Sequence, residues 1–316
     1  MPAPDTEYTT RHTVNVAAPA AALYAVIADA ERWPVVFPPT VHVRRAAAGG
    51  DDEFLDLWAH APGTVKSWRS RRELDPERRT VHFRQLVSAP PVASMSGIWR
   101  VETHPDGTAT VILDHTYTAQ DDDPEHVAWI ERAIDAYSEQ ELAAVAAAAR
   151  AAADGSVATF TFADSIEIAA PAQPIFDFLY RADLWPQRLP HVSRVALSYL
   201  DETQVLEMDT VTGTGEAHTT RSHRVRSGPF ELAYKQDVLP AGFLGHHGRW
   251  TLAESGGSTV ATSHHTARVD VEALRARLGA ADRADVERRV RAALGGNSIR
   301  TLEAARDFAE AKRSVA

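Results

Sequence analysis

Val14-Asn15-Val16-Ala17-Ala18-Pro19, followed by Leu23-Tyr24 and closed by Trp33-Pro34, decides the architecture because it occurs twice. The second copy reads Ile166-Glu167-Ile168-Ala169-Ala170-Pro171, then Ile175-Phe176, then Trp185-Pro186, at a constant offset of 152 residues with no gap. Matched positions keep their physical type: Val14 with Ile166, Val16 with Ile168, Ala30 with Ala182, Phe37 with Leu189, Pro38 with Pro190. The alternation before Pro19 is that of a strand. Pro19 stands where a first helical residue belongs, since its missing N–H costs nothing there. Leu23, Val26 and Ile27 then share one face of a short helix, and Trp33-Pro34 and Pro38-Pro39 break the chain into a second short turn. The chain therefore reads as two copies of one domain, residues 1–153 and 154–316.

Outward from this stretch, strand-like segments alternate with turn signals. In the first copy they cover residues 41–46, 53–60, 64–74, 80–87, 95–103 and 108–119, separated by Gly49-Gly50, Pro62-Gly63, Asp75-Pro76, Pro90-Pro91 and Pro105-Asp106-Gly107. A long helical pattern follows Asp121-Asp122-Asp123-Pro124, a composition suited to a helix N-terminus. The second copy repeats the order: a strand at 157–168, six more between 193 and 269, a short amphipathic piece at 271–278 and a final helix from about 282. Gly213-Thr214-Gly215 and Ser255-Gly256-Gly257 read as hairpin turns, and residues 1–11 as a frayed polar end. Each copy is an α+β domain whose curved antiparallel sheet wraps a long C-terminal helix, leaving a cavity between them as the natural ligand site.

Composition narrows the function. At 316 residues the chain accommodates two domains, each able to bury its own core. It contains no Cys, which excludes disulfides, thiolate metal sites and a Cys nucleophile. No apolar run is long enough to span a membrane and no signal-peptide pattern opens the chain, so a cytoplasmic location is expected. The net charge is −10, with 14 basic and 22 acidic residues in positions 1–152 against 19 and 21 in the remainder. That balance argues against nucleic acid or an anionic membrane as partner.

Four paired constellations carry chemistry. On 67–74, strand parity puts Trp68, Ser70, Arg72 and Leu74 on one face and Ser67, Arg69, Arg71 and Glu73 on the other. The face with Trp and Leu is the inner one. Thr220, Ser222 and Arg224 match Trp68, Ser70 and Arg72 in the second copy. A guanidinium facing a pocket needs a partner or a ligand oxygen; the plain alternative is a surface Arg or one paired with a carboxylate such as Asp56. Gly97-Ile98-Trp99 answers to Gly248-Arg249-Trp250, with each Trp either core or pocket wall. His115 and His265 fall on the last strands and are the best general acid/base candidates, against a structural role as the plainer reading. Tyr137-Ser138 and Asn297-Ser298 align in the long helices, where Tyr137 and Asn297 either bind a ligand or tether helix to sheet. His246-His247 and His264-His265 are adjacent pairs whose members point to opposite faces, so neither pair shares a metal; no metal site is expected.

These residues resemble a known family. The Trp-Pro turn, the Trp68-x-Ser70-x-Arg72 strand, the Gly97-Ile98-Trp99 strand and Asn297-Ser298 are similar to those of the di-domain polyketide aromatase/cyclases of bacterial type II polyketide synthases, of the helix-grip superfamily that includes START and Bet v 1-like domains. The resemblance covers residues 10–312. It implies that Arg72 and Arg224 polarise a carbonyl and steady an enolate, and that Trp68, Ser70, Trp99, Ser222 and Trp250 line the pockets; Asn297 matches a polar position of the family's helix, from which the first copy departs with Tyr137. Single-domain members can carry a Tyr seven residues past the turn Trp; here Thr40 and Val192 stand there, which leaves His115 and His265 as acid/base candidates.

The implied reaction is first-ring aldol cyclisation and dehydrative aromatisation of a poly-β-ketone tethered to an acyl carrier protein, alongside other synthase subunits, with no cofactor. Arg44-Arg45 or Arg78-Arg79 would supply a basic patch for the carrier. The rival reading on the same fold is a non-catalytic carrier of a lipid or other hydrophobic ligand.

Overall fold

The computed structural model describes residues 6–49, 52–211 and 217–313. It divides into two compact units, Met1–Gly155 and Ser156–Ala316.

In the first unit β1 (Tyr8–Val16) leads into α1 (Ala20–Ala28) and the single turn α2 (Trp33–Val36). The strands β2 (Thr40–Gly49), β3 (Asp52–Ala61), β4 (Thr64–Asp75), β5 (Thr80–Val87), β6 (Val92–Thr103) and β7 (Ala109–Ala119) follow, and then α3 (Pro124–Asp154). The sheet has seven strands in the order β1-β7-β6-β5-β4-β3-β2. Tyr8–Arg11, expected to fray, instead continue β1, because their backbone pairs with Arg11↔Asp114 through Tyr8↔Tyr117 on β7. The α3 N-terminus is capped by Asp123, whose side chain accepts from Glu125 N at 2.8 Å, with Pro124 inside the first turn. The helix runs on through Asp154 and ends at Gly155, whose φ of 70° suits a residue with no Cβ. The contact boundary thus falls two residues beyond the expected 153.

The second unit repeats this plan with β8 (Val157–Ile168), α4 (Ala172–Tyr180), α5 (Trp185–Arg188), β9 (Val192–Leu200), β10 (Thr203–Val211), β11 (Ala217–Gly228), β12 (Glu231–Val238), β13 (Phe243–Ser255), β14 (Ser258–Asp270), α6 (Val271–Leu278) and α7 (Arg283–Arg313). Its sheet order is β8-β14-β13-β12-β11-β10-β9. Gly213-Thr214-Gly215 lies outside the described residues, whereas Gly256 and Gly257 turn the β13–β14 hairpin with φ of 61° and 83°.

Each core sits between the concave face of the sheet, the two short helices and the long helix. In the first, Leu23, Ile27, Leu55, Val111 and Val145 are fully buried; in the second, Ile168, Ile175, Leu232, Ala261 and Leu302 play the same part. A second buried cluster forms in each unit, with Tyr117, Ile130 and Ile134 in the first and Phe160, Val269, Leu274 and Val290 in the second, and the first cavity is bordered by residues of both of its clusters. No helix among the described residues is long and apolar enough to cross a membrane.

Candidate active sites

Strand alternation builds both cavities. On β4, Trp68, Ser70 and Arg72 turn inward, Ser70 and Arg72 being buried. Arg69 and Arg71 turn outward and bind Asp56 at 2.6 Å and Asp52 at 2.8 Å. The first cavity measures about 210 Å³, and Trp33, Trp68, Trp99, His115 and Tyr137 are among its walls. The second measures about 120 Å³ and has Thr220, Ser222, Arg224, Trp250, His265 and Asn297 in its lining. All eleven residues named from the sequence therefore border one of the two cavities. Trp99 and Trp250 serve as core and wall at once.

Gly97 and Gly248 explain how the aromatic walls are placed. A Cβ on Gly97 would lie 2.4 Å from the Phe83 ring, and one on Gly248 would lie 2.3 Å from Tyr234. The glycines let these rings fold across the neighbouring strand.

The two arginines differ in their partners. Arg72 Nε donates to Glu53 Oε1 at 2.8 Å, and Nη2 donates to the same oxygen. Its Nη1 and Nη2 donate to the carbonyls of Ile27 (3.1 Å) and Ala28 (2.8 Å) in the last turn of α1, where a cation is favoured. The guanidinium lies 4.8 Å from the centre of the Trp33 ring. Burial pushes the Arg72 pKa down while the Glu53 carboxylate pushes it back. The carboxylate is Glu53, directly opposite on β3, and not Asp56. Parity is the reason: Glu53, Leu55 and Leu57 face inward, so Asp56 faces out, to Arg44 and Arg69.

Arg224 sits opposite Gln204. The Gln204 amide donates to Tyr180 O at 3.2 Å, the carbonyl that matches Ala28 O, and Arg224 Nη2 keeps only Leu179 O. Arg224 Nη1 is buried without a hydrogen-bond partner, as is Gln204 Oε1. With no carboxylate beside it, burial pushes Arg224 down to about 10, so it stays a cation at neutral pH. A buried guanidinium with an unfilled N–H is a ready donor to a carbonyl or enolate oxygen.

The histidines diverge in the same way. His115 meets the edge of Phe83 at 5.5 Å, its Nδ1 is buried without a partner, and burial, helped by His12, pushes it down to about 4. His265 is held on both sides. Its Nδ1 is 3.0 Å from His246 Nε2, and its Nε2 is 2.9 Å from Ser298 Oγ and 3.0 Å from Ser263 Oγ. Burial, with the neighbouring His246, keeps it well below the usual imidazole range.

Three functional candidates escaped sequence reading. Glu53 is the buried partner of Arg72. Glu141 lies one helical turn beyond Tyr137 and borders the first cavity; burial pushes its carboxyl up to about 8, so it is protonated at neutral pH. The i, i+4 spacing from Tyr137 was the available signal. His246 joins His265 across strands β13 and β14, a relation hidden while each adjacent pair was read on its own strand. Of the basic pairs suggested for a carrier, Arg44 is held by Asp56, Arg45 by Glu53 and Arg78 by Asp75, so three of the four are spent on ion pairs.

A seven-stranded grip closed on a long helix, with an aromatic cavity inside, defines the class, and the comparisons name it. The family described as polyketide cyclase / dehydrase and lipid transport matches residues 8–150 through one model and 168–294 through a second. The chain belongs to this family. It is 44% identical to the granaticin polyketide synthase bifunctional cyclase/dehydratase of Streptomyces violaceoruber over 98% of this chain and 96% of that one. It is 39% identical to the actinorhodin polyketide synthase bifunctional cyclase/dehydratase of Streptomyces coelicolor, over 94% and 95%. Among solved structures, the di-domain ARO/CYC BexL from the BE-7585A biosynthetic pathway matches with a TM-score of 0.78 and 44% identity, covering 96% of this chain and 99% of that one.

Proposed function

We propose that this chain is an aromatase/cyclase that closes and aromatises the first ring of a carrier-bound poly-β-ketone in aromatic polyketide antibiotic biosynthesis. The observation that carries this reading is the pair of aromatic-walled cavities, each holding a buried guanidinium and an imidazole. The names of its full-length relatives support it, since they join cyclase and dehydratase in one protein of similar length.

The chemistry asks little of the protein beyond positioning and charge stabilisation. A methylene between two carbonyls is acidic. In the first cavity His115 takes its proton, the carbanion attacks a distant carbonyl carbon, and Glu141, neutral at physiological pH, gives a proton to the new alkoxide. Four of the five Arg72 N–H donors are occupied by protein oxygens; the remaining one is left for a substrate carbonyl. Trp68, Trp99 and Tyr137 confine the folded chain, with Ser70 beside them. In the second cavity Arg224 polarises the carbonyl and His265 moves the proton, among Ser222, Trp250 and Asn297. The acyl carrier protein and other synthase subunits are the partners this reaction requires.

Reconstitution with a minimal polyketide synthase tests the reading. With the chain present, the products carry an aromatic first ring; without it, they are the unaromatised products of spontaneous folding. An identical ring pattern with and without the protein would instead indicate a ligand carrier.

A further inference from the structure

We propose that the second cavity is the dehydration site, and that His246 is the positioning residue that makes His265 a base there. This rests on the reading that the chain acts on a polyketide, and it assigns one of the two steps to one of the two cavities.

The inference comes from a chain of four side chains on four elements, running from half-buried Gln236 to buried His246, His265 and Ser298. Gln236 Oε1 lies 2.9 Å from His246 Nδ1, His246 Nε2 lies 3.0 Å from His265 Nδ1, and His265 Nε2 lies 2.9 Å from Ser298 Oγ. The donor directions follow from chemistry. An amide oxygen only accepts, so His246 Nδ1 carries the proton and its Nε2 is bare. That bare nitrogen accepts from His265 Nδ1–H. His265 Nε2 is then bare in turn and faces the hydroxyls of Ser298 and Ser263. Each ring thus fixes the tautomer of the next, and the chain ends on a basic nitrogen one hydroxyl from the cavity. Phe162 stacks on His265 at 4.9 Å and Tyr234 meets His246 edge-on at 5.6 Å, holding both rings in place.

The first cavity has no such chain. Strand register puts Met95 where His246 stands, Leu113 where Ser263 stands and Phe83 where Tyr234 stands. Gln85 matches Gln236, but its amide reaches only the Met95 sulfur, at 3.6 Å. The hydroxyl retained in the helix is Ser138, matching Ser298.

Loss of water from a β-hydroxy ketone needs a base for the α-carbon proton, a cation for the enolate oxygen, and a proton for the departing hydroxyl. The second cavity supplies all three. The carbon proton passes to Ser298 Oγ as Ser298 gives its own to His265 Nε2. The enolate oxygen takes the unfilled Nη1 of Arg224. The C–O bond then breaks, and the departing oxygen recovers the proton from His265 through Ser298 to leave as water. One C–H and one C–O bond break, a C=C and an O–H form, and no oxidant or reductant enters.

The test pairs kinetics with a spectroscopic readout on the full-length protein. His246→Met copies the first cavity. It is expected to lower the rate of dehydration about 100-fold with KM unchanged, the low end of what a positioned base contributes, and to accumulate a cyclised product one water heavier than the aromatic one. His246→Gln, which keeps an acceptor for His265 Nδ1–H, should recover much of the rate. Long-range proton–nitrogen correlation spectra of the histidine-labelled wild type should show His265 protonated on Nδ1, an outcome that stands whether or not the variants fold. A proton on His265 Nε2, or dehydration by folded His246→Met at the wild-type rate, would overturn the proposal. Failure of the wild type to aromatise any polyketide would overturn the functional reading instead and leave the tautomer result intact.

Discussion

The two cavities share a scaffold and differ in how each spends its buried charge. Both arginines reach the end of a short helix and lie over the turn Trp, Arg72 over Trp33 and Arg224 over Trp185, but in the first cavity Arg72 is also neutralised by Glu53. In the second, Gln204 replaces the carboxylate, takes one of the helix carbonyls itself, and leaves Arg224 with an empty donor. The imidazoles follow the same division: His115 has no hydrogen bond to its buried nitrogen, whereas His265 is held by His246 and two serines. Duplication kept the residues that shape the grip and changed those that decide whether a pocket cation faces a carboxylate or keeps a buried N–H unfilled.

The largest expected effect lies in the arginines. Arg72→Met leaves the buried Glu53 carboxylate with Arg45 as its ion-pair partner but without the inner cation, and should cost about 1–3 kcal/mol in denaturant unfolding. Arg224→Met removes a buried charge that no carboxylate compensates, so stability should change by less than about 1 kcal/mol or rise, while aromatisation is lost. Equal destabilisation by the two changes would remove the distinction drawn between them.

A smaller effect should appear in the pH dependence of stability. The Glu141 carboxyl is raised to about 8 in the folded chain, against about 4.3 when unfolded. Between those values the folded state holds a proton that the unfolded state has released. This contribution is therefore complete below the unfolded value and is lost as pH rises through about 8. Glu141→Gln should flatten that decline, gaining on the order of 2 kcal/mol near pH 9. The imidazoles act with opposite sign. His115 and His246 are lowered to about 4, so their contribution is complete above the unfolded value near 6.5 and lost as pH falls towards 4. Urea midpoints measured from pH 4 to 9 check both limbs.

A third contrast is steric. Gly97→Ala drives a methyl group into the Phe83 ring and the Asp114 carbonyl, and should cost about 1–3 kcal/mol. Gly248→Ala meets Tyr234, which touches the His246–His265 chain. It should cost a similar amount in thermal unfolding but also slow the reaction.

Much of this was legible in the chain. The repeat around Trp33-Pro34 and Trp185-Pro186, the strand periodicity and the long helices fix the grip, because local pattern dictates each of them. Parity on β4 and β11 correctly turned Arg72 and Arg224 inward. What the pattern could not show is pairing across strands. Glu53 and Gln204 come to lie opposite the arginines only through register, and a single-residue change there converts a neutralised cation into an open one. His246 was hidden for the same reason, since its partner is on the neighbouring strand and not beside it in sequence. Glu141 reads as an ordinary charge on a helix until the cavity wall closes around it.

The most direct test of this account is to give the second cavity what the first one has. Gln204→Glu places a carboxylate opposite Arg224, and the masses of products formed with a minimal polyketide synthase then report on the second step. The account predicts that dehydration slows and that a cyclised product one water heavier than the aromatic one accumulates, while ring closure continues. Full aromatisation at the wild-type rate by a folded Gln204→Glu protein would contradict it.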